Sequence, residues 1–287
     1  MMSENTLLST VTDAQNQRVE ITRVLETKAS EVSDLITVEE PLEIRIAPHG
    51  EQEFTLSVTM RTPGADRELA LGFLFGEGLI TGPEDIRAIE HCGPPSPDKG
   101  LHNVIKVSLS QGVEINPAAL ERHTYTTSSC GVCGKTSIEA IKVVNPHPVE
   151  KRLTLDRETV LAIPPALRMQ QREFAKTGGL HGVGLFDHAG MLLSVYEDVG
   201  RHNALDKLVG FLYGEGALPL KARGLVLSGR ASFELLQKAS IAGAELVLAV
   251  GPPSSLAAEL AQEQGITLVG FVATHGFNIY THPERIR

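Results

Sequence analysis

Residues 225–272 read LVLSGRASFELLQKASIAGAELVLAVGPPSSLAAELAQEQGITLVGFV. Three short apolar runs, Leu225 to Leu227, Leu246 to Val250 and Ile266 to Val272, alternate with two stretches of helical pattern, Ser232 to Ala242 and Ser255 to Gln264. Runs of that length bounded by Gly, Pro and Ser read as buried strands, and right-handed crossovers through the helices make them parallel. Upstream, Val183 to Phe186 and Met191 to Tyr196 flank Asp187-His188-Ala189-Gly190 as a hairpin, while Leu205, Leu208, Val209 and Leu212 form a helical stripe. Pro165 is expected to open a helix that Gly178-Gly179 ends. The C-terminal part therefore reads as α/β, a mixed sheet with helices on both faces.

Further upstream the pattern changes. Leu42, Ile44 and Ile46 alternate with Glu43 and Arg45, and beyond Pro48-His49-Gly50 the residues Phe54, Leu56, Val58 and Met60 alternate with polar ones, which predicts a hairpin with one buried face. Arg67 to Phe75 reads as a short helix capped by Asp66, and Val104 to Leu109 as another strand. The expected organisation is a mobile leader over 1–18, a smaller α+β domain over 19–112, and a larger domain over 113–287. A short helix is expected to start at Asn116-Pro117, near the linker between the two domains.

The 287 residues carry 35 acidic against 26 basic side chains, a formal charge of −9, which argues against a nucleic-acid or anionic-membrane binder. At 42% hydrophobic and 21% charged the chain is an ordinary globular one with enough apolar side chains for a core. No apolar stretch approaches the ~20 residues a bilayer requires, and the first residues lack the pattern of a secretory signal. Three cysteines, Cys92, Cys130 and Cys133, make no closed disulfide framework. The reading is of a cytoplasmic protein.

Parallel strands bring their C-terminal ends to one edge of a sheet, where ligands meet helix N-termini. The turns at that edge are Ser228-Gly229-Arg230-Ala231-Ser232, Gly251-Pro252-Pro253-Ser254-Ser255 and Thr274-His275-Gly276. Small and hydroxylic residues let backbone N–H groups approach an anion, and Arg230 adds a charge-assisted contact. Each turn alone is more often an N-cap, as at Ser254, or a plain chain reversal; three on one edge favour an anionic ligand. A fourth segment, Glu197-Asp198-Val199-Gly200-Arg201-His202-Asn203, is dense in polar residues for a strand-to-helix connection. Asp198 or Glu197 could accept guanine N–H groups or ribose hydroxyls, with Arg201 and His202 facing phosphate. The competing reading is an Asp198–Arg201 surface pair with Asn203 as a helix cap. His181, in Gly179-Leu180-His181-Gly182, is more often a structural histidine than a catalytic one.

Cys130-Gly131-Val132-Cys133-Gly134 is the sharpest chemical feature, on a loop expected over 124–136. A second thiol two residues away can lower the pKa of the first, resolve a disulfide or receive sulfur from it, and Lys135 favours a thiolate. Zinc would need Cys92 and one of His91, His102 or His123 to complete four ligands. A thioredoxin-type site would follow a buried strand directly, which Thr124 to Ser129 does not resemble. Nucleophilic sulfur transfer is the third reading, and the C-x-x-C alone does not choose among them.

Taken in order, Ser129 to Gly134, Gly178-Gly179-Leu180-His181, Glu197 to Lys207, Ser228-Gly229-Arg230 with Glu234, Thr267 to Phe271 and Asn278-Ile279-Tyr280 resemble the formate dehydrogenase accessory sulfurtransferase family (FdhD/NarQ type). The resemblance spans Val19 to the C-terminus. It implies a homodimeric cytoplasmic sulfurtransferase, cytidine-deaminase-like in its larger domain, that takes persulfide sulfur from a cysteine desulfurase. The sulfur passes to the molybdenum or tungsten bis(molybdopterin guanine dinucleotide) cofactor destined for the formate dehydrogenase catalytic subunit. By the same resemblance Cys130 carries the persulfide and Cys133 is its relay. The cofactor's guanine nucleotide, for which GDP is an analogue, would bind the sheet edge at Asp198, Arg201, His202, Ser228, Gly229 and Arg230, and at the stretch Phe271, Val272, Ala273, Thr274, His275, Gly276. That stretch departs from the family pattern, which leads one to expect arginines; His275 is its one basic residue. The deaminase zinc pattern, an H-x-E followed by P-C-x-x-C, is missing, so deamination and a catalytic metal are not expected.

Overall fold

A computed structural model describes residues 15–97, 99–115 and 152–287. The larger sheet has six strands: β7 (His181–Phe186), β8 (Leu192–Asp198), β9 (Gly224–Leu227), β10 (Leu246–Ala249), β11 (Thr267–Ala273) and β12 (Gly276–Ile279). Their order is β12-β11-β10-β9-β7-β8. β9, β10 and β11 are parallel, with Leu246 opposite Gly224 on one side and Thr267 on the other. β7 runs antiparallel to both β8 and β9, and β12 antiparallel to β11. The mixed sheet and its three parallel strands match the reading of 225–272.

Six α-helices belong to the described residues: α1 (Asp66–Gly76), α2 (Arg157–Gln170), α3 (Arg172–Thr177), α4 (Arg201–Gly214), α5 (Phe233–Ile241) and α6 (Ser255–Gln264). The strands' alternation assigns their faces. Leu225, Leu227 and Val247 join a cluster with Leu205 and Leu208 of α4, Leu235 of α5 and Ala257 of α6. Val226, Leu246, Leu248 and Val269 point the other way, onto Val160, Ile163 and Leu167 of α2. Such period-two alternation between two helical layers is what a doubly covered sheet requires.

The smaller sheet comprises β3 (Glu40–Ala47), β4 (Phe54–Arg61), β5 (Ile86–His91) and β6 (Val104–Leu109) in the order β4-β3-β6-β5. Its inward side chains, Leu42, Ile44, Ile46, Ile105 and Val107, share one cluster with α1, α4 and the larger sheet. The backbones of α1 and α4 touch: a Cβ at Gly72 would lie 1.9 Å from the Asp206 carbonyl oxygen, and one at Gly210 would lie 1.8 Å from that of Glu68. Only glycine permits that approach.

Three local expectations are corrected. Asp66 does not cap α1: Ala65 holds that place in a left-handed conformation, and the Asp66 carboxylate instead takes Arg61 Nε at 2.8 Å and Nη2 at 2.9 Å, both side chains buried. The helix expected from Pro165 begins at Arg157, because Asp156 Oδ1 accepts the Thr159 N–H at 2.7 Å, and Pro164 and Pro165 lie inside it. The stretch to Gly178 is also two helices, parted at Gln171. Finally, β1 (Asn16–Leu25) starts within the segment read as leader and pairs with β2 (Lys28–Thr37) as a two-stranded ribbon. Most of its side chains are exposed, so no buried face marked it in the sequence. The helix expected at Asn116-Pro117 lies outside the described residues.

Candidate functional site

At the C-terminal edge of β9, β10 and β11 the sheet, α2 and α3 enclose a cavity of about 560 Å³. Its walls are mainly apolar, including Pro164 and Pro165 of α2, Phe174 of α3, Leu180, Val250 and Val272. The guanidinium of Arg168 lies 3.5 Å from the centre of the Phe174 ring, forming a stacked wall. Polar groups are few: Gln171, His181, Ser228 and Thr274. An apolar pocket of this size with a few convergent polar groups suits a small organic ligand.

His181 joins this cavity to a basic cluster. Burial, and then the positive charges of Arg201, His202 and Arg230, hold its imidazole below the usual histidine value, with Asp198 opposing them. Arg201 and His202 open α4. His202 Nε2 lies 3.0 Å from Glu234 Oε2 and 3.3 Å from Ser232 Oγ, so α5 fixes its ring. The Nε of Arg201 is enclosed with no hydrogen-bond partner among the described residues, and Arg230 is exposed. The edge therefore pairs a mainly apolar cavity with cations whose charges reach His181 on its wall, which suits a ligand with a flat apolar-faced part and an anionic part.

The whole-chain comparisons agree on one family. The FdhD/NarQ family model matches residues 37–287. The chain belongs to the FdhD/NarQ family. Sulfur carrier protein FdhD of Mycolicibacterium paratuberculosis is 47% identical over 255 residues, covering 88% of this chain and 92% of that protein. Its Streptomyces avermitilis counterpart of the same name is 43% identical over 273 residues, with 94% and 95% covered. A crystal structure of a putative formate dehydrogenase accessory protein from Desulfotalea psychrophila superposes with a TM-score of 0.69 at 23% identity, covering 95% of this chain and all of that one. It shares the fold.

Within this FdhD/NarQ chain the expected site residues divide. Ser228, Val272, Ala273 and Thr274 line the cavity. Arg201, His202 and Arg230 form the cluster beside it, and a Cβ on Gly229 would rest 3.4 Å from His181 Nδ1. Phe271 is half exposed in a left-handed conformation where β11 bulges, and Thr274-His275 make the turn into β12. Gly276 lines a separate hollow with Arg157, Tyr280 and Arg287. Cys130 and Cys133 lie outside the described residues.

Asp198 needs correction. Its carboxylate is sealed from solvent and satisfied from within, by Lys207 Nζ at 2.7 Å, the Thr62 N–H at 3.1 Å, the Gly200 N–H at 2.8 Å and Asn203 Nδ2 at 3.2 Å. It holds the turn that leads into Arg201 and His202 instead of lying open at the edge. Glu197 is likewise engaged, accepting the Glu173 and Phe174 N–H groups at the start of α3. Asn203 is not a cap: Gly200 is, and the Asn203 amide donates to the Met60 carbonyl. Of the string, Arg201 and His202 are the cations that act on His181. Sequence reasoning missed Gln171, Arg168 and Phe174, whose signal was a break between two helices beside a glycine-rich strand. Among the described residues no group of three or more His, Cys, Asp or Glu could hold a metal ion, and no helix is long and apolar enough to cross a membrane.

Proposed function

We propose that this protein is a sulfurtransferase that carries sulfur as a persulfide on Cys130. In this reading it serves the Mo/W bis(molybdopterin guanine dinucleotide) cofactor of formate dehydrogenase, binding a guanine nucleotide of that substrate at the sheet edge. The observation that carries the nucleotide half is the apolar cavity flanked by Arg201, His202 and Arg230 at the C-terminal ends of parallel strands. The sulfur half is supported by the family, whose relatives are named sulfur carriers, and by the Cys130-x-x-Cys133 pair. The Cys130 thiolate would attack the outer sulfur of a cysteine desulfurase persulfide, breaking that S–S bond and releasing the donor thiolate. Attack by the Cys133 thiolate on the inner sulfur of the Cys130 persulfide would then expel hydrosulfide for the metal and leave a Cys130–Cys133 disulfide, whose formation supplies the two electrons. A cytoplasmic homodimer acting between the desulfurase and the formate dehydrogenase catalytic subunit fits this chemistry.

Mass spectrometry of the intact protein and of its peptides, after incubation with a cysteine desulfurase and cysteine, tests the reading. One added sulfur is expected on the Cys130 peptide of wild type and of Cys92→Ala, and none at that position in Cys130→Ala. If Cys130→Ala still accepts sulfur as wild type does while Cys92→Ala does not, the carrier is Cys92 and the assignment fails.

A further inference from the structure

Gln171 sits in the break between α2 and α3 with only 3% of its surface exposed, yet it lines the cavity. Its amide Nε2 is enclosed and has no hydrogen-bond partner among the described residues. Its backbone is fixed at both ends, the N–H donating to the Leu167 carbonyl and the carbonyl accepting from Ala175. The side chain lies flat against β7 at Gly182, where a Cβ would come within 2.6 Å of both Cδ and Nε2. Glycine at 182 thus makes the seat for this amide. The Gly182 N–H in turn donates to Ser228 Oγ at 2.8 Å, so the Ser228 oxygen is an acceptor there and its own proton remains to be donated elsewhere. Two donors, the enclosed Gln171 amide and the Ser228 hydroxyl, consequently belong to residues that line one cavity, and a buried donor without an acceptor is costly unless a ligand supplies one.

We propose that Gln171 is the base-reading residue of this cavity, its amide N–H group donating, together with the Ser228 hydroxyl, to the acceptor edge of a 6-oxopurine. The inference rests on the reading of the cavity as a nucleotide site and adds which group selects the base. Guanine presents two neighbouring acceptors, N7 and O6, whereas adenine presents N7 beside an N6 amine donor. A pair of donors matches the first edge and opposes the second. The apolar walls and the Arg168–Phe174 stack give a flat ring its remaining contacts.

Titration calorimetry of the full-length protein with GDP, IDP and ADP tests this. GDP and IDP, which share O6 and N7, should bind wild type with similar affinity, and ADP at least about tenfold more weakly. Gln171→Leu should lose about tenfold for GDP and IDP and little for ADP. A GDP-to-ADP ratio unchanged in Gln171→Leu, or an equal loss for all three, would mean the residue only shapes the cavity and would overturn the inference while leaving the nucleotide site standing. Failure of wild type to bind any of the three would overturn the nucleotide reading and this inference with it. If thermal melting shows that Gln171→Leu does not fold, Ser228→Ala carries the same expectation of a loss confined to the 6-oxopurines.

Discussion

Lys207 Nζ lies 2.7 Å from Asp198 Oδ2 with both side chains shut away from water, so the last residue of β8 is bolted to the second turn of α4 by a buried charge pair. Thr62 completes the node, its carbonyl accepting from Lys207 at 2.8 Å and its N–H donating to Asp198. The chain just after β4 is thereby tied to the larger sheet, at the turn that presents Arg201 and His202. Removing one charge leaves the other buried and unpaired, which costs about 3–5 kcal/mol. Lys207→Met is expected to lower the unfolding free energy by about that amount in urea titrations. Asp198→Asn with Lys207→Met should cost less than the two single changes added together, whereas strict additivity would show that the pair is not coupled.

The contact of α1 with α4 predicts a sharper failure. The atoms that a methyl group at Gly72 or Gly210 would strike are backbone, so no side chain can swing away to relieve the clash. Gly72→Ala and Gly210→Ala are each expected to exceed the roughly 1–3 kcal/mol of ordinary overpacking. Gly214→Ala is the control: it lies on the same helix with nothing within 4 Å of its would-be Cβ. Its melting temperature should stay level or rise slightly, since alanine outranks glycine in helices by up to about 1 kcal/mol.

The parts legible in the sequence were those that local periodicity determines. Leu225 to Leu227 and Leu246 to Ala249 are buried on both faces, so uninterrupted apolar runs announced them, and Ser254 caps α6 as its position before Ser255 suggested. The direction of Asp198 was not legible, because its partner Thr62 lies 136 residues away and a polar residue pointing inward looks the same as one pointing out. Asp66 differs in that its partner is local: Arg61, five residues back, takes the carboxylate that the pattern assigns to the helix N–H groups. Gln171 carried no signal of its own. Its importance comes from Gly182 and Ser228, which reach it only through the pairing of β7 with β9.

His181 sets an expectation for acid. Its folded-state pKa lies below the unfolded value of about 6.5. As pH falls, the unfolded chain therefore takes up the proton first. The stability contributed by the neutral ring is complete above the unfolded value and is lost as pH drops through the folded one. Between pH 7 and pH 5 the unfolding free energy of His181→Gln should fall less steeply than that of wild type. Parallel slopes would mean that His181 titrates alike in both states.

The two arginines whose charges act on His181 should differ in worth and in salt response. Arg201 Nε is enclosed and unpartnered among the described residues, whereas Arg230 stands in solvent. A phosphate reaching both would gain a desolvated contact from Arg201 and a screened one from Arg230. Arg230→Ala is expected to weaken GDP binding by about 1.5–3 kcal/mol at low ionic strength, roughly one to two decades in affinity, with much of that difference gone in high salt. Arg201→Ala should cost at least as much and keep most of its effect when salt is raised. Calorimetry of both variants at two salt concentrations reads this directly. Unchanged GDP affinity in Arg230→Ala at low salt would take that residue out of the site, and a loss in Arg201→Ala that vanishes with salt would mean its guanidinium meets the phosphate through water.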